Sequence, residues 1–137
     1  MKENQKFKHE LFQRYIDNPI LTVENWPYKA NSVFNAAAAQ VDGETLLLTR
    51  VEDYRGISHL TIARSADGIT NWRIDEKPTL LPQPKEHPEE LWGIEDPRIT
   101  WIEELGKWAI CYTAYSEGGP LVSLAMTKDF VEFEKFW

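Results

Sequence analysis

The sequence of 137 residues is poor in the features that support several common classes of protein. Its single cysteine, Cys111, lies in an apolar run, so no disulfide framework exists and a reducing compartment is expected. The N-terminus carries charges but lacks the apolar core of a secretory signal. No apolar run reaches the length of a membrane span. These absences predict a cytoplasmic protein.

The sequence also lacks the features that indicate nucleic-acid, metal or nucleotide binding: a net positive charge, metal ligands at suitable spacing and a glycine-rich phosphate loop. The formal charge is −7 and the basic residues are scattered, which argues against nucleic acid or an anionic membrane as a partner. No histidine or cysteine falls at metal-ligand spacing, and no serine lies in the context of a nucleophile elbow. We therefore expect no metal and no organic cofactor.

The first 31 residues are predicted to form a short helix and an extended arm. Apolar residues recur at helical spacing over about residues 5–16, and Asn18-Pro19 ends that run. This amphipathic helix is expected to dock on the rest of the chain or on another subunit. The prolines of residues 18–31 favour an extended arm.

From residue 32 onward the pattern is that of β-strands separated by turn residues. Two sets of four strands are predicted, in residues 32–77 and 93–137, with a proline-rich linker over residues 78–92. The first set comprises residues 32–41, 45–51, 59–64 and 71–74. The second set comprises residues 97–102, 107–113, 121–126 and 131–136.

The two sets are related by a shift of about 62 positions, which places Ala63 on Ala125 and Asp67 on Asp129. A repeat of four short antiparallel strands is typical of a β-propeller blade. Residues 35–39 then form an innermost strand with small side chains, although an alanine run also favours a helix. The predicted fold is all-β, with two four-stranded antiparallel propeller blades preceded by a short N-terminal helix.

Two blades do not close a propeller, because closed propellers use at least four. We therefore expect the chain to be part of a larger architecture. It is either a fragment of a longer protein or completes its architecture by association, and in the second case it is a homo-oligomer.

The strongest candidate for catalysis lies in Trp92-Gly93-Ile94-Glu95-Asp96-Pro97-Arg98. Pro97 is expected to hold Asp96 in an extended conformation at the start of a strand. Side chains alternate along a strand, so Glu95 and Asp96 are expected on opposite faces, whereas Asp96 and Arg98 share one. A carboxylate fixed in this way suits the acid of a hydrolase or a phosphorylase. The alternative is a turn with a surface Asp–Arg pair.

The repeat also predicts which groups meet Asp96. In the repeat register Asn35 falls beside Asp96, at the same mouth of the axial channel. Arg50, near the end of the next strand, and Asp53, on the following loop, are expected to reach the same rim. Asn35, Arg50, Asp53 and Arg98 are therefore candidate substrate-binding residues. The alternative for Asn35 is a strand-edge cap. For Arg50, and for Arg55 on the following loop, the alternative is a solvated ion pair with Glu52 or Asp53.

Several strings, in this order, resemble glycoside hydrolase family 130, the β-mannoside phosphorylases. They are Ser32-Val33-Phe34-Asn35-Ala36-Ala37, Thr49-Arg50-Val51-Glu52-Asp53, Ala63-Arg64-Ser65-Ala66-Asp67-Gly68, Gly93-Ile94-Glu95-Asp96-Pro97-Arg98-Ile99-Thr100 and Tyr112-Thr113-Ala114-Tyr115-Ser116. The resemblance runs from about Asn18 onward. It implies a five-bladed propeller and an inverting phosphorolysis of β-mannosides to α-mannose 1-phosphate. Inorganic phosphate is then a co-substrate, and the partners are a β-mannoside oligosaccharide and phosphate.

The resemblance also implies roles for individual residues. Asp96 matches the acid of the family, which protonates the glycosidic oxygen while phosphate attacks the anomeric carbon from the opposite face. Asn35 and Arg50 match residues that contact mannose. Family members are more than twice as long, and their later blades supply the Arg, Lys and His cluster that holds phosphate. The chain is therefore expected to be the N-terminal portion of such an enzyme.

Two other functions are left open. A hydrolase on a related five-bladed propeller needs a second carboxylate as base and forms its products without phosphate. An inactive, truncated fragment that binds sugar would associate through an exposed blade edge without turnover. For either enzyme, Arg98 on the same face would lower the pKa of Asp96, whereas a general acid benefits from a raised pKa. Burial of Asp96 or another partner for Arg98 has to resolve this conflict.

Overall fold

The computed structural model describes residues 11–136, which form two four-stranded antiparallel sheets. The first sheet contains β1 (Ser32–Val41), β2 (Glu44–Glu52), β3 (Ser58–Ser65) and β4 (Arg73–Ile74). The second contains β5 (Ile94–Ile102), β6 (Lys107–Ser116), β7 (Gly119–Thr127) and β8 (Glu134–Phe136). In both sheets, strands that follow one another in the sequence are neighbours. The predicted strands are confirmed, including the alanine-rich β1, although β4 and β8 are shorter than expected.

The predicted N-terminal helix is wrong over the residues that can be compared. Residues 11–17 form bends, a turn and irregular chain, and the prediction for residues 5–10 lies outside the described residues. Leu11, Phe12 and Ile16 are 89%, 87% and 89% exposed. A short amphipathic helix depends on packing of its apolar face. Within residues 11–136 these three side chains do not pack against an apolar surface.

Helical structure in the described chain is limited to three short 3-10 turns, Val23–Asn25, Pro88–Glu90 and Glu103–Leu105. A search of the same residues for a helix with the length and apolarity of a membrane span finds none.

The main core lies between the two sheets. Its fully buried members are Leu46, Leu48, Leu60, Ile62, Ile94, Ile110, Ala114 and Ala125. The other face of the first sheet is covered by the segment before β1, where Trp26 and Ala30 pack on Val51. The middle of the first sheet is therefore covered on both faces, which explains why nearly every side chain of β3 is buried, whereas β1 at the edge of the sheet keeps several exposed side chains.

The repeat is visible in the turns that follow β3 and β7. Asp67 and Asp129 each accept hydrogen bonds from the backbone amides two and three residues further on, at 2.7–3.0 Å. The hydroxyl and backbone amide of Thr70 are the main cause of a pKa below the ordinary value for Asp67. Backbone hydrogen bonds lower the pKa of Asp129 in the same way. These matching turns confirm the shift of 62 positions.

The linker between the sheets is anchored by a buried ion pair. Glu90 and Lys135 have side chains that are 0% and 3% exposed, and their charged atoms lie 2.6 Å apart. The Glu90 carboxylate also accepts hydrogen bonds from the Tyr112 hydroxyl at 2.7 Å and the Gln83 amide at 2.7 Å. Lys135 also donates to the carbonyl of Leu81 at 2.8 Å. Burial lowers the pKa of Lys135 and raises that of Tyr112.

Candidate functional site

The site is built on two equivalent β-bulges. Pairing between β1 and β2 shifts between Phe34 and Ala37, and pairing between β5 and β6 shifts between Glu95 and Arg98. Inside these bulges Asn35 has a φ of 47° and Asp96 a φ of 51°, both in the left-handed region. The two residues are 61 positions apart, and the Asn35 amide donates a hydrogen bond to Asp96 Oδ1 at 3.0 Å.

The prediction that Pro97 holds Asp96 in an extended conformation is wrong. A bulge takes its extra residue out of the ladder, and aspartate and asparagine tolerate the left-handed conformation better than most side chains. Because Pro97 has no backbone N–H, its place in the bulge leaves no hydrogen-bond donor of the ladder unpaired. The prediction that Glu95 and Asp96 point to opposite faces is also wrong, because the bulge interrupts the alternation of side chains.

Arg50 connects the two carboxylates. Its Nη1 lies 3.0 Å from Asp96 Oδ1, and its Nη2 lies 2.9 Å from Glu95 Oε1. Its Nε donates to the Ser58 hydroxyl at 2.9 Å, and the guanidinium carbon lies 4.5 Å from the ring centroid of Phe34. The Arg50 side chain is only 13% exposed. These contacts from four sides hold the guanidinium in one orientation.

The two neighbouring carboxyl groups have pKa values displaced in opposite directions. Partial burial acts to raise the pKa of Asp96, but hydrogen bonds from Asn35 and Arg50 and the charges of Arg50 and Arg98 bring it below its ordinary value. Burial raises the pKa of Glu95, helped by the charges of Asp96 and Glu52 and opposed by Arg50. Two carboxyl groups whose pKa values are shifted in opposite directions thus contact the same Arg50 guanidinium.

Gly93 brings the start of β5 against β3. It forms a parallel bridge with Ser58 and has a φ of +113°. A Cβ at this position would lie 2.7 Å from the backbone N and 2.8 Å from the backbone O of Ser58. Only glycine fits this approach, which places Ser58 and Glu95 around the same Arg50 side chain.

The other two predicted binding residues lie apart from this contact. Arg98 is exposed and donates to the carbonyl of Pro97 at 2.7 Å. Asp53 accepts from the backbone of Arg55 and Ile57 at 2.8 and 3.1 Å and pairs with the Arg55 side chain at 2.7 Å. The alternative of a solvated ion pair therefore describes Arg55. The assignments of Asp53 and Arg98 to substrate binding stay predictions.

Three residues of the cluster were not identified from the sequence: Phe34, Ser58 and Glu95. The alternation rule placed Glu95 on the wrong face. The signal that indicates otherwise is the proline inside a strand, because a proline in this position is typical of a bulge. Phe34 and Ser58 carry no sequence signal for this role.

A cavity of about 470 Å³ opens beside Asn35, between β1 and the segment that precedes the first sheet. Its lining is mainly apolar, with Pro19, Leu21 and Phe34 among its members, and Thr49 and Asn35 contribute polar groups. A volume of this size is within the range of small-molecule sites. Across residues 11–136 no group of three or more acidic, histidine or cysteine side chains is arranged to hold a metal ion.

Comparison with known proteins gives consistent matches. A family model for glycoside hydrolase family 130, described as beta-1,4-mannooligosaccharide phosphorylase, matches residues 4–136. A Beta-1,2-mannobiose phosphorylase of Thermoanaerobacter sp. (strain X514) is 34% identical over 116 residues, covering 74% of this chain and 36% of the relative. A 1,2-beta-oligomannan phosphorylase of the same strain is 33% identical over 135 residues, covering 90% and 43%. The chain thus spans less than half the length of these relatives.

A solved structure shows the same fold. It is described by the words "The GH130 family of mannoside phosphorylases contains glycoside hydrolases that target beta-1,2 mannosidic linkages in Candida mannan". The superposition has a TM-score of 0.77 at 28% sequence identity, and it covers 87% of this chain and 38% of that chain. The two sheets therefore correspond to part of a larger domain in that protein.

Proposed function

Because the chain belongs to glycoside hydrolase family 130, we propose that it supplies the proton donor and part of the mannose site of a β-mannoside phosphorylase. The reaction is the inverting phosphorolysis of a β-mannoside to α-mannose 1-phosphate. Asp96 is the acid, and Asn35 and Arg50 bind the mannose unit. Asp53 and Arg98 are further substrate-binding residues, and inorganic phosphate is the co-substrate.

The observation that supports this proposal best is the meeting of the two bulges. Asn35 and Asp96 are brought within 3.0 Å from positions 61 residues apart, and Arg50 lies 3.0 Å from the same carboxylate oxygen. The Asp96 side chain is 40% exposed, so a ligand can reach it. A carboxylate, an amide and a guanidinium in mutual contact offer donors and acceptors for the hydroxyl groups of a sugar.

In the proposed reaction Asp96 gives its proton to the glycosidic oxygen. A phosphate oxygen forms a bond to the anomeric carbon from the opposite face as the bond to the leaving sugar breaks, which inverts the configuration from β to α. A single protein carboxyl is sufficient because phosphate is itself the nucleophile. A sugar ring on the site removes water from Asp96, and this desolvation raises the pKa of Asp96 toward the value that an acid requires.

We also propose the larger setting of the site. The two sheets are two blades of a five-bladed propeller, and the groups that hold phosphate lie outside the part of the fold described here. The protein acts in the cytoplasm, and its working form is a homo-oligomer.

The proposal is tested by incubating the protein with β-1,4-mannobiose and β-1,2-mannobiose, with and without phosphate. We expect α-mannose 1-phosphate only when phosphate is present, and we expect none from Asp96→Asn. The control is Asp129→Asn, an aspartate in the turn after β7 that accepts backbone hydrogen bonds there and has no contact with Asn35, Arg50 or Asp96. Formation of the product by Asp96→Asn at the wild-type rate would contradict the assignment of the acid.

A hydrolase is the second candidate, since the description of the solved structure attributes hydrolysis of β-1,2 mannosidic linkages to members of this family. Free mannose formed at the same rate with and without phosphate would favour it. A third candidate is an inactive fragment that binds sugar. Binding of mannobiose without any product in either buffer would favour that reading.

A further inference from the structure

Another cavity lies at the end of the two sheets that is remote from Asp96. Its volume is about 430 Å³, within the range of small-molecule sites. Its walls come from both sheets and from the turns that follow β1 and β7, and they include Gln40, Asp42, Trp101, Trp108 and Lys128. Trp101 follows Asp96 on β5 at a distance of roughly 15 Å along the strand. The cavity is therefore separate from the site around Asp96.

The aromatic wall of this cavity is held in place from behind. Trp101 and Trp108 are cross-strand neighbours on β5 and β6, with ring centroids 5.2 Å apart and planes inclined at 59°. Trp108 in turn packs against Phe130, which is 2% exposed, at a centroid distance of 5.6 Å. The indole N–H of Trp101 donates to Glu103 Oε2 at 2.6 Å. These contacts fix the Trp101 ring, which nevertheless remains 42% exposed.

Packing of the core explains Trp108 but not Trp101. Trp108 is half-buried and packs against the main core between the sheets. Trp101 lies outside that core, and much of its ring is left to solvent. A fixed, exposed aromatic ring in a cavity that also carries polar groups is typical of a ligand-binding site.

Polar side chains surround the exposed ring. Asp42, Gln40 and Lys128 line the same cavity and are exposed, so their polar ends are open to a ligand. Asp129 also lines the cavity, but its Oδ1 accepts backbone hydrogen bonds within its own turn, so it shapes the wall. The open groups thus include one carboxylate and one ammonium, whose opposite charges favour a neutral ligand rich in hydroxyl groups over an ion.

We propose that this cavity is a second carbohydrate-binding site, in which the ring of a neutral hexopyranose stacks on Trp101 while its hydroxyl groups bind Asp42 and Lys128. A pyranose has an apolar C–H face and hydroxyl groups around its rim, which matches an aromatic wall with polar groups at its margin. Such a site retains the protein on an oligosaccharide and takes no part in the reaction. It does not depend on the proposed role of Asp96.

The first test is an NMR titration of the tryptophan indole N–H signals with β-1,4-mannotetraose. We expect the Trp101 and Trp108 signals to move together and to saturate. The Trp72 signal should stay in place, because its indole donates to the carbonyl of Ile69 in a turn away from the cavity. Sorbitol, which has hydroxyl groups but no ring face, should leave all of them unmoved. A Trp101 signal that does not respond to the sugar, or that responds equally to sorbitol, would overturn the proposal.

Variants identify the groups that bind, with the Trp108 signal as the reporter. Trp101→Ala should weaken binding by on the order of tenfold, since it removes the aromatic wall, whereas Trp101→Phe should retain most of the affinity. Asp42→Asn keeps a side chain that tolerates the φ of 51° at this position and should weaken binding several-fold. The matched control is Trp92→Ala, which removes an equally exposed ring (41%) elsewhere and should leave the titration unchanged.

Unaltered binding in Trp101→Ala would overturn the proposal, and the wild-type titration decides it if that variant does not fold. The Asn35 side-chain amide reports the site around Asp96 in the same experiment. Movement of Trp101 without Asn35 would support this second site and count against the proposed mannose site. Movement of Asn35 without Trp101 would do the reverse. A Trp101 signal that moves with protein concentration in the absence of sugar would mean that a second copy of the chain covers the ring, which would also overturn the proposal.

Discussion

Replacing Lys135 with methionine is expected to lower the free energy of unfolding by about 3 kcal/mol. Lys135 Nζ lies 2.6 Å from Glu90 Oε2, and both side chains are almost completely buried. Methionine fills a similar volume but leaves the Glu90 carboxylate without a counter-charge. Breaking a buried ion pair by removing one partner destabilises by about 3–5 kcal/mol. The lower end applies because Tyr112 and the Gln83 amide still donate to Glu90.

Urea denaturation followed by tryptophan fluorescence measures this change. A loss of about 3 kcal/mol corresponds to a fall of roughly 10 °C in Tm for a chain of this size. The control is Lys107→Met, which breaks the exposed pair with Glu134 and should change stability by less than about 1 kcal/mol. The double variant Glu90→Gln with Lys135→Met removes both charges and should recover more than half of the loss.

A loss below about 1 kcal/mol in Lys135→Met would refute the reasoning. It would mean that the hydrogen bonds from Tyr112 and the Gln83 amide stabilise the Glu90 carboxylate without the charge of Lys135. A double variant no more stable than the single one would mean that packing, and not charge, is responsible.

Three further changes have defined outcomes. Gly93→Ala should lower the free energy of unfolding by more than about 2 kcal/mol, because the new Cβ would lie under 3 Å from backbone atoms of Ser58. The control Gly43→Ala, whose Cβ would have open space around it, should lower it by only about 1 kcal/mol in the same urea assay. Asn35→Gly keeps the left-handed backbone but removes the amide donor, so the pKa of Asp96 should rise in a carboxyl-carbon NMR titration, and an unchanged value would contradict the hydrogen bond. The pKa of Asp67 is depressed in the folded state, so its contribution to stability is present above about pH 4 and is lost as the pH falls further. Asp67→Asn should therefore lose less stability than the wild type between about pH 4 and lower pH. A urea midpoint whose pH dependence is the same in both proteins would exclude the contribution.

The pattern of strands could be predicted because the two sheets repeat the same local signals. Alternating side chains and the glycine and aspartate turns carry the period of each strand without reference to distant residues. The alanine-rich β1 shows the value of the repeat. Helix propensity favours the wrong structure for residues 35–39, whereas the alignment with β5 favours the right one.

The predictions failed where distant contacts decide the conformation. Asp96 adopts a positive φ because the β5–β6 ladder contains a bulge, and local rules for the residue before a proline do not include that ladder. The same bulge brings Glu95 to Arg50. Residues 11–16 have helical periodicity but no surface to cover them among the described residues, and periodicity alone does not stabilise a short helix.

The buried Glu90–Lys135 pair could not be predicted for a related reason. The two residues are 45 positions apart, and nothing in the local sequence of either indicates its partner. A proline-rich linker with acidic residues has the composition of a solvated loop. Only the packing of the linker against the second sheet makes its glutamate one of the most buried side chains of the protein.

The most direct test of the central claim is a titration of the protein with β-mannobiose, followed by NMR of the Asn35 side-chain amide and the Arg50 Nε–H. The account predicts that both signals move together and saturate at one ligand concentration. It also predicts that the movement is strongly reduced in Asp96→Asn, where the carboxylate that joins them is lost. If mannobiose binds but leaves both signals in place, or shifts them equally in Asp96→Asn, the three residues do not form the mannose site.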